Sequence, residues 1–208
     1  MMQLRIFSKL ISALFHPLVM PILALFLGVA SDSLLELYIN PARLTMVYLI
    51  VALTTIVFPV VSFLFLYRAK EISDLQMTIR KERFKPLITT ILYYSLGYYL
   101  LRKGELPATL LTFIFGCILA TIFATIINLK YKISLHAIGI AGVMGYLCAL
   151  FHLHDNINIY ILFGVIIISG LVLTSRLILK VHTQKEIYMG AFLGFFIIYL
   201  AVANALYI

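Results

Sequence analysis

From Leu44 to Leu66 the chain runs through an almost unbroken apolar stretch with no charged side chain. About 20 such residues are what a helix needs to cross a bilayer, and a globular core element is far shorter. Comparable runs recur along the whole chain, and none of them shows the apolar/polar alternation that a transmembrane barrel requires. Composition agrees: 63% of the residues are hydrophobic and 12% charged, with a mean hydropathy of +1.10. A soluble domain is nearer half apolar and a quarter charged. The expected fold is therefore an all-α, polytopic transmembrane helical bundle forming one integral membrane domain over residues 1–208, with connectors too short for a separate soluble domain.

The apolar runs predict about seven spans, at His16 to Tyr38, Leu44 to Tyr67, Leu87 to Leu101, Pro107 to Ile127, Leu135 to Phe151, Ile157 to Thr174 and Ile187 to Tyr207. Arg5 and Lys9 before an apolar run that ends in Gly28, Val29 and Ala30 also fit a cleaved leader, but Pro17, Pro21 and the continuation to Tyr38 favour a retained helix. Gly139, Gly142 and Gly145, with Ala141, predict a small-residue face for close helix packing. Cys117 and Cys148 both fall inside apolar runs, where a free thiol behaves as a small hydrophobe, so neither a disulfide framework nor a zinc site is expected.

The net charge of +8 would point to nucleic acid in a soluble protein; here it reads first as topology, and no nucleic-acid partner is expected. With the N-terminus numbered zero, the even connectors contain thirteen of the sixteen lysines and arginines, and the odd ones only Arg43, Arg102 and Lys103. Acids divide evenly. The positive-inside rule then places the N-terminus and the even connectors in the cytoplasm, and the compact chain suggests a bacterial inner membrane.

Three even connectors carry clusters that one helical hairpin separates from the next, so all three emerge on one side. They are Arg80-Lys81-Glu82-Arg83-Phe84-Lys85-Pro86, Lys132-Ile133-Ser134-Leu135-His136, and Ser175-Arg176 with His182 and Glu186. Taken singly, the basic run is a topology signal, Ser134 a helix N-cap and His182 with Glu186 a surface pair. Together they supply cations for an anion, two histidines and a carboxylate, the ingredients of phosphoryl transfer. Glu186 four residues after His182 can fix one ring nitrogen and leave the other as a nucleophile. Arg176 offers a planar fork to phosphate oxygens, and Ser134 and His136 stand at a helix N-terminus that favours an anion, with His136 placed as general acid.

These residues resemble the type 2 phosphatidic acid phosphatase (PAP2) superfamily, which includes the vanadium haloperoxidases. The third family motif, S-R-x5-H-x3-D, is matched by Ser175, Arg176, His182 and Glu186, with Glu in place of Asp. The second, P-S-G-H, is similar to Ile133-Ser134-Leu135-His136. The first, K-x6-R-P, is the poorest match: Lys85-Pro86 replaces Arg-Pro and Thr78 holds the lysine position, with Arg80, Lys81 and Arg83 nearby as substitutes. The resemblance covers about residues 78–194. It implies a phosphatase acting on a membrane lipid with a phosphate or pyrophosphate head group, in which His182 forms a phosphohistidine, Glu186 supports it and His136 protonates the leaving group. Arg176, Ser134, Lys85, Arg83 and Arg80 would hold the phosphate, without metal or cofactor. The alternatives are a catalytically inactive relative that binds or moves an anionic lipid, and a small transporter. His152 and His154 beside Asp155 lie on the opposite side and lack a third convergent metal ligand.

Overall fold

The computed structural model describes residues 2–32, 39–74, 77, 79–104, 106–154 and 158–204. It is an all-α polytopic bundle. Helix α1 (Met2–Leu14) is followed by a single 3-10 turn, Pro17–Val19, and α2 (Met20–Ser31). The long α3 (Pro41–Arg68) widens into a π turn at Leu53–Val57, just ahead of Pro59, whose missing N–H cannot close the regular ladder. Then come α4 (Phe84–Arg102), α5 (Ala108–Lys130), α6 (Leu135–Leu153), α7 (Ile159–Ile178) and α8 (Gln184–Ala203).

Six of the expected spans correspond to stretches long and apolar enough to cross a membrane. The first span was expected from His16, and the helix of the apolar stretch Met2–Ser31 does break there, so Arg5 and Lys9 lie on a separate helix before it; residues 33–38, where the run was expected to continue, are outside the described residues. One expectation is corrected: the third is not a short span from Leu87 but a 19-residue helix. At 1.5 Å per residue it has roughly the length of a bilayer core. Its Tyr93, Tyr94, Tyr98 and Tyr99 make it less apolar than the others, and it is not among the six.

The helices start where their first turns are capped. Asn40 accepts from the Ala42 N–H at 2.9 Å, Asn158 from Tyr160 at 3.1 Å, Ser134 from Ala137 at 3.4 Å and Thr183 from Glu186 at 3.3 Å. Helix α6 is the axis of the bundle, burying Ile140, Val143, Tyr146, Leu147 and Leu150. Its glycines serve two neighbours, Gly139 against Met20 of α2 and Gly142 and Gly145 against α8. On α8, Gly190 and Gly194 lie directly over the Ser134 and Ile138 carbonyls. Without a hydrophobic driving force between helices in lipid, such backbone proximity is where packing energy is gained.

Candidate active site at one end of the bundle

The three clusters predicted to share a side converge at one end, where α4 and α8 begin, α5 and α7 end and α6 begins. Thr183 and Glu186 have the spacing of a capping box, in which the glutamate normally turns back to the N-cap backbone. Here the Glu186 carboxylate turns to His182 instead, its Oε2 standing 2.6 Å from Nδ1. A carboxylate only accepts, so Nδ1 carries the proton and the Nε2 lone pair is left as the nucleophilic position. His182 is 8% exposed. Burial pushes its pKa down to about 4, helped by Arg83 and Arg176 and opposed by the hydrogen bond to Glu186.

The second cluster is seated against the third. The Ser134 N–H donates to the Glu186 backbone carbonyl at 3.3 Å, which joins the start of α6 to the start of α8. His136 Nε2 lies 3.0 Å from the Ser12 carbonyl of α1, 124 residues away in sequence. Because a carbonyl only accepts, Nε2 is the protonated nitrogen and Nδ1 the one available for proton transfer. The ring lies within electrostatic range of Arg176, His16 and His182.

The first cluster separates into three fates. Arg83 is buried, donating from Nε to the Met77 carbonyl at 2.8 Å and from Nη1 to Ile133 at 3.0 Å. Met77 sits in the left-handed region at φ 50°, with its side chain in the same cavity as Arg83. Arg80 instead fastens α4 to the C-terminal end of α5, donating to the Asn128 carbonyl at 2.7 Å and to that of Leu129, while Asn128 Nδ2 returns a bond to the Arg80 carbonyl at 3.0 Å. Lys85 is exposed and pairs with Glu71 at 2.5 Å. Thr78 is outside the described residues.

A cavity of about 1070 Å³, counting the space at its mouth, collects His182, His136, Arg83 and Arg176 at its polar end. Arg176 Nε is buried there with no hydrogen-bond partner among the described residues. Of the eight residues expected at the site, these four line the cavity and Glu186 reaches it through His182. Ser134, Lys85 and Arg80 do not line it: Ser134 is fully buried as the α6 cap, and the other two are turned to Glu71 and to the α5 carbonyls. The reason is local geometry. The single 3-10 turn Arg80–Arg83 points its cations in different directions, and only Arg83 faces inward.

Two contributors escaped sequence reasoning. His16, named in the sequence only as the start of the first span, accepts from the Leu18 N–H at 3.4 Å and lines the cavity with its ring 5.5 Å from that of His136. Lys132 donates to the Val181 carbonyl at 3.1 Å, tying the second connector to the third. A histidine beside a proline at a break in an apolar run was the one available signal for the first. Toward the other end of α6, His154 pairs with the fully buried Asp32. Asp155 is outside the described residues, and no metal-sized group of ligands occurs among those described.

The chain matches no protein-family model, no curated protein and no solved structure.

Proposed function

We propose that the chain is a membrane-embedded phosphatase of the type 2 phosphatidic acid phosphatase kind, hydrolysing a lipid phosphate or polyprenyl pyrophosphate through a phosphohistidine on His182. The observation that carries this reading is the buried His182–Glu186 pair, its nucleophilic nitrogen unprotonated at neutral pH, in one cavity with Arg83, Arg176 and His136. A cavity polar at one end and lined farther in by Phe113, Cys117, Val143 and Ile198 suits a molecule with an anionic head and a hydrocarbon tail.

In the first step the His182 Nε2 lone pair forms a bond to phosphorus as the bond from phosphorus to the lipid oxygen breaks. Protonated His136 gives its Nδ1 proton to that oxygen, a protonation state that the bound anion favours. Arg83 and Arg176 face the three equatorial oxygens, where charge gathers in the transition state. In the second step water attacks phosphorus, His136 takes the proton, and the P–N bond electrons return to Nε2. Glu186 stabilises the positive ring throughout. No step calls for a metal or cofactor.

Phosphate release from the purified protein, measured over a panel of lipid phosphates and pyrophosphates, tests the reading; no release from any of them rejects it. A second reading, an anionic-lipid binder without turnover, is favoured by one observation: Arg80 and Lys85 contribute nothing to the phosphate cradle.

The pH profile follows from His182. It must be neutral to attack, and its folded pKa is below the ordinary 6.5, so its neutral form survives as pH falls through 6.5 to about 4. In kcat/KM, which reports the free enzyme, loss of activity from protonation of the nucleophile is expected near pH 4, about the value to which burial pushes His182. An acid limb that does not move when Glu186 is replaced removes His182 from the profile, because Glu186 is hydrogen-bonded to its ring.

The orientation we propose places the site and the N-terminus in the cytoplasm of a bacterial inner membrane. Removing Arg80, Arg83, Lys85 and Arg176 from the count, since a phosphate pocket needs cations wherever it sits, still leaves nine charges against three. In intact cells a cysteine at Lys132 is expected to resist an impermeant thiol reagent and one at Lys103 to react. The reverse pattern places the site outside.

A further inference from the structure

We propose that His16 is a phosphate-binding residue, a fixed neutral donor that takes the place of the missing first-motif cations; this rests on the reading above that the cavity receives a phosphoryl group. The argument begins with the break between α1 and α2. His16 is the N-cap of the 3-10 turn Pro17–Val19, its backbone extended and its Nδ1 accepting the Leu18 N–H at 3.4 Å. With that lone pair engaged, the imidazole carries its proton on Nε2, and a second proton could enter only by breaking that bond. The ring is therefore held as a neutral hydrogen-bond donor, and its Nε2 has no acceptor among the described residues.

The ring lines the same cavity as Arg83, Arg176, His136 and His182. It meets the His136 ring edge to face, with 5.5 Å between centroids and an interplanar angle of 80°. The three histidines then divide the work by tautomer. His182 offers a lone pair at Nε2, His136 exchanges a proton at Nδ1, and His16 offers an N–H that need not be transferred at all. A neutral imidazole donor suits a nonbridging oxygen, because binding it requires no change of protonation. The same N-terminal segment supplies the Ser12 carbonyl that orients His136, so residues 12–16 act on both phosphate binding and proton transfer. The position lies far outside residues 78–194 that carry the motif resemblance.

Two substitutions separate a binding role from a structural one. In His16→Asn the amide oxygen sits where Nδ1 sits and keeps the cap on Leu18 N–H, but no donor reaches the Nε2 position. In His16→Gln the amide nitrogen reaches the Nε2 position while the cap is lost. Vanadate and inorganic phosphate binding to purified protein in detergent, thermal unfolding, and kcat/KM on a lipid phosphate are measured for wild type and both variants.

A hydrogen bond to a charged acceptor is worth about a tenfold or greater change in affinity. His16→Asn is expected to weaken vanadate binding by about tenfold with an unchanged unfolding midpoint, and His16→Gln to recover most of that loss despite a lower midpoint. Wild-type vanadate affinity in His16→Asn, or affinity in His16→Gln no better than in His16→Asn, overturns the proposal. If wild type binds vanadate but releases no phosphate from any lipid, the phosphatase reading fails while the two variants still decide the role of His16. If wild type binds neither anion, both fall.

Discussion

Replacing His182 by alanine is expected to lower phosphate release from a lipid phosphate by roughly ten-thousandfold or more, to the level of the detergent blank. In a two-step transfer through a covalent intermediate, the nucleophile has no substitute. On the proposed reading, the remaining cations and His136 would hold the substrate without a route to phosphorus. Glu186→Gln is expected to fall between the two, by roughly a hundredfold, because the amide can still accept from Nδ1 but no longer balances the positive ring. The 2.6 Å contact between Glu186 and His182 makes this ordering specific. Retained turnover in His182→Ala removes this residue from the chemistry, and Arg176→Ala, which deletes an unpaired buried donor, then becomes the next variant to examine.

The largest structural effect is expected at Gly194. A Cβ there would run into the backbone of Ile138, and one at Gly190, a turn earlier, would lie 2.7 Å from the Ser134 carbonyl. Backbone cannot rotate away as a flexible side chain can, so α6 and α8 must separate. Gly194→Ala is expected to cost about 1–3 kcal/mol, and Gly194→Val more. Activity is expected to fall with stability, because the contact also sets the start of α8, with Glu186, against the start of α6, with His136. Gly164 and Gly170 on α7 have nothing within 4 Å of a built Cβ. Their alanine variants are expected to unfold at or above the wild-type midpoint, since alanine is the better helix former by up to about 1 kcal/mol. Thermal unfolding in detergent checks all three sites, and equal effects on α7 and α8 argue against this packing.

Local chemistry alone determined a good deal of this protein. Unbroken apolar runs enforce helices in lipid because backbone groups there have no water to bond, so the helical bundle and most helix positions were legible. The cap at Ser134 depends on a residue three positions away and was equally legible; those at Asn40, Asn158 and Thr183 are as local but went unread. The His182–Glu186 pair is one helical turn and needs nothing more distant. Tertiary structure decided what depends on distant partners. Arg80, Arg83 and Lys85 are three cations within six residues, equivalent in charge; carbonyls at residues 128, 129 and 133 and the carboxylate of Glu71 sort them. Ser12 and His16 come within reach of His136 only because α1 and α2 fold back onto the start of α6, across some 120 residues of sequence. No periodicity or spacing records such an encounter, because the free energy that selects it comes from packing between helices rather than from within any one of them.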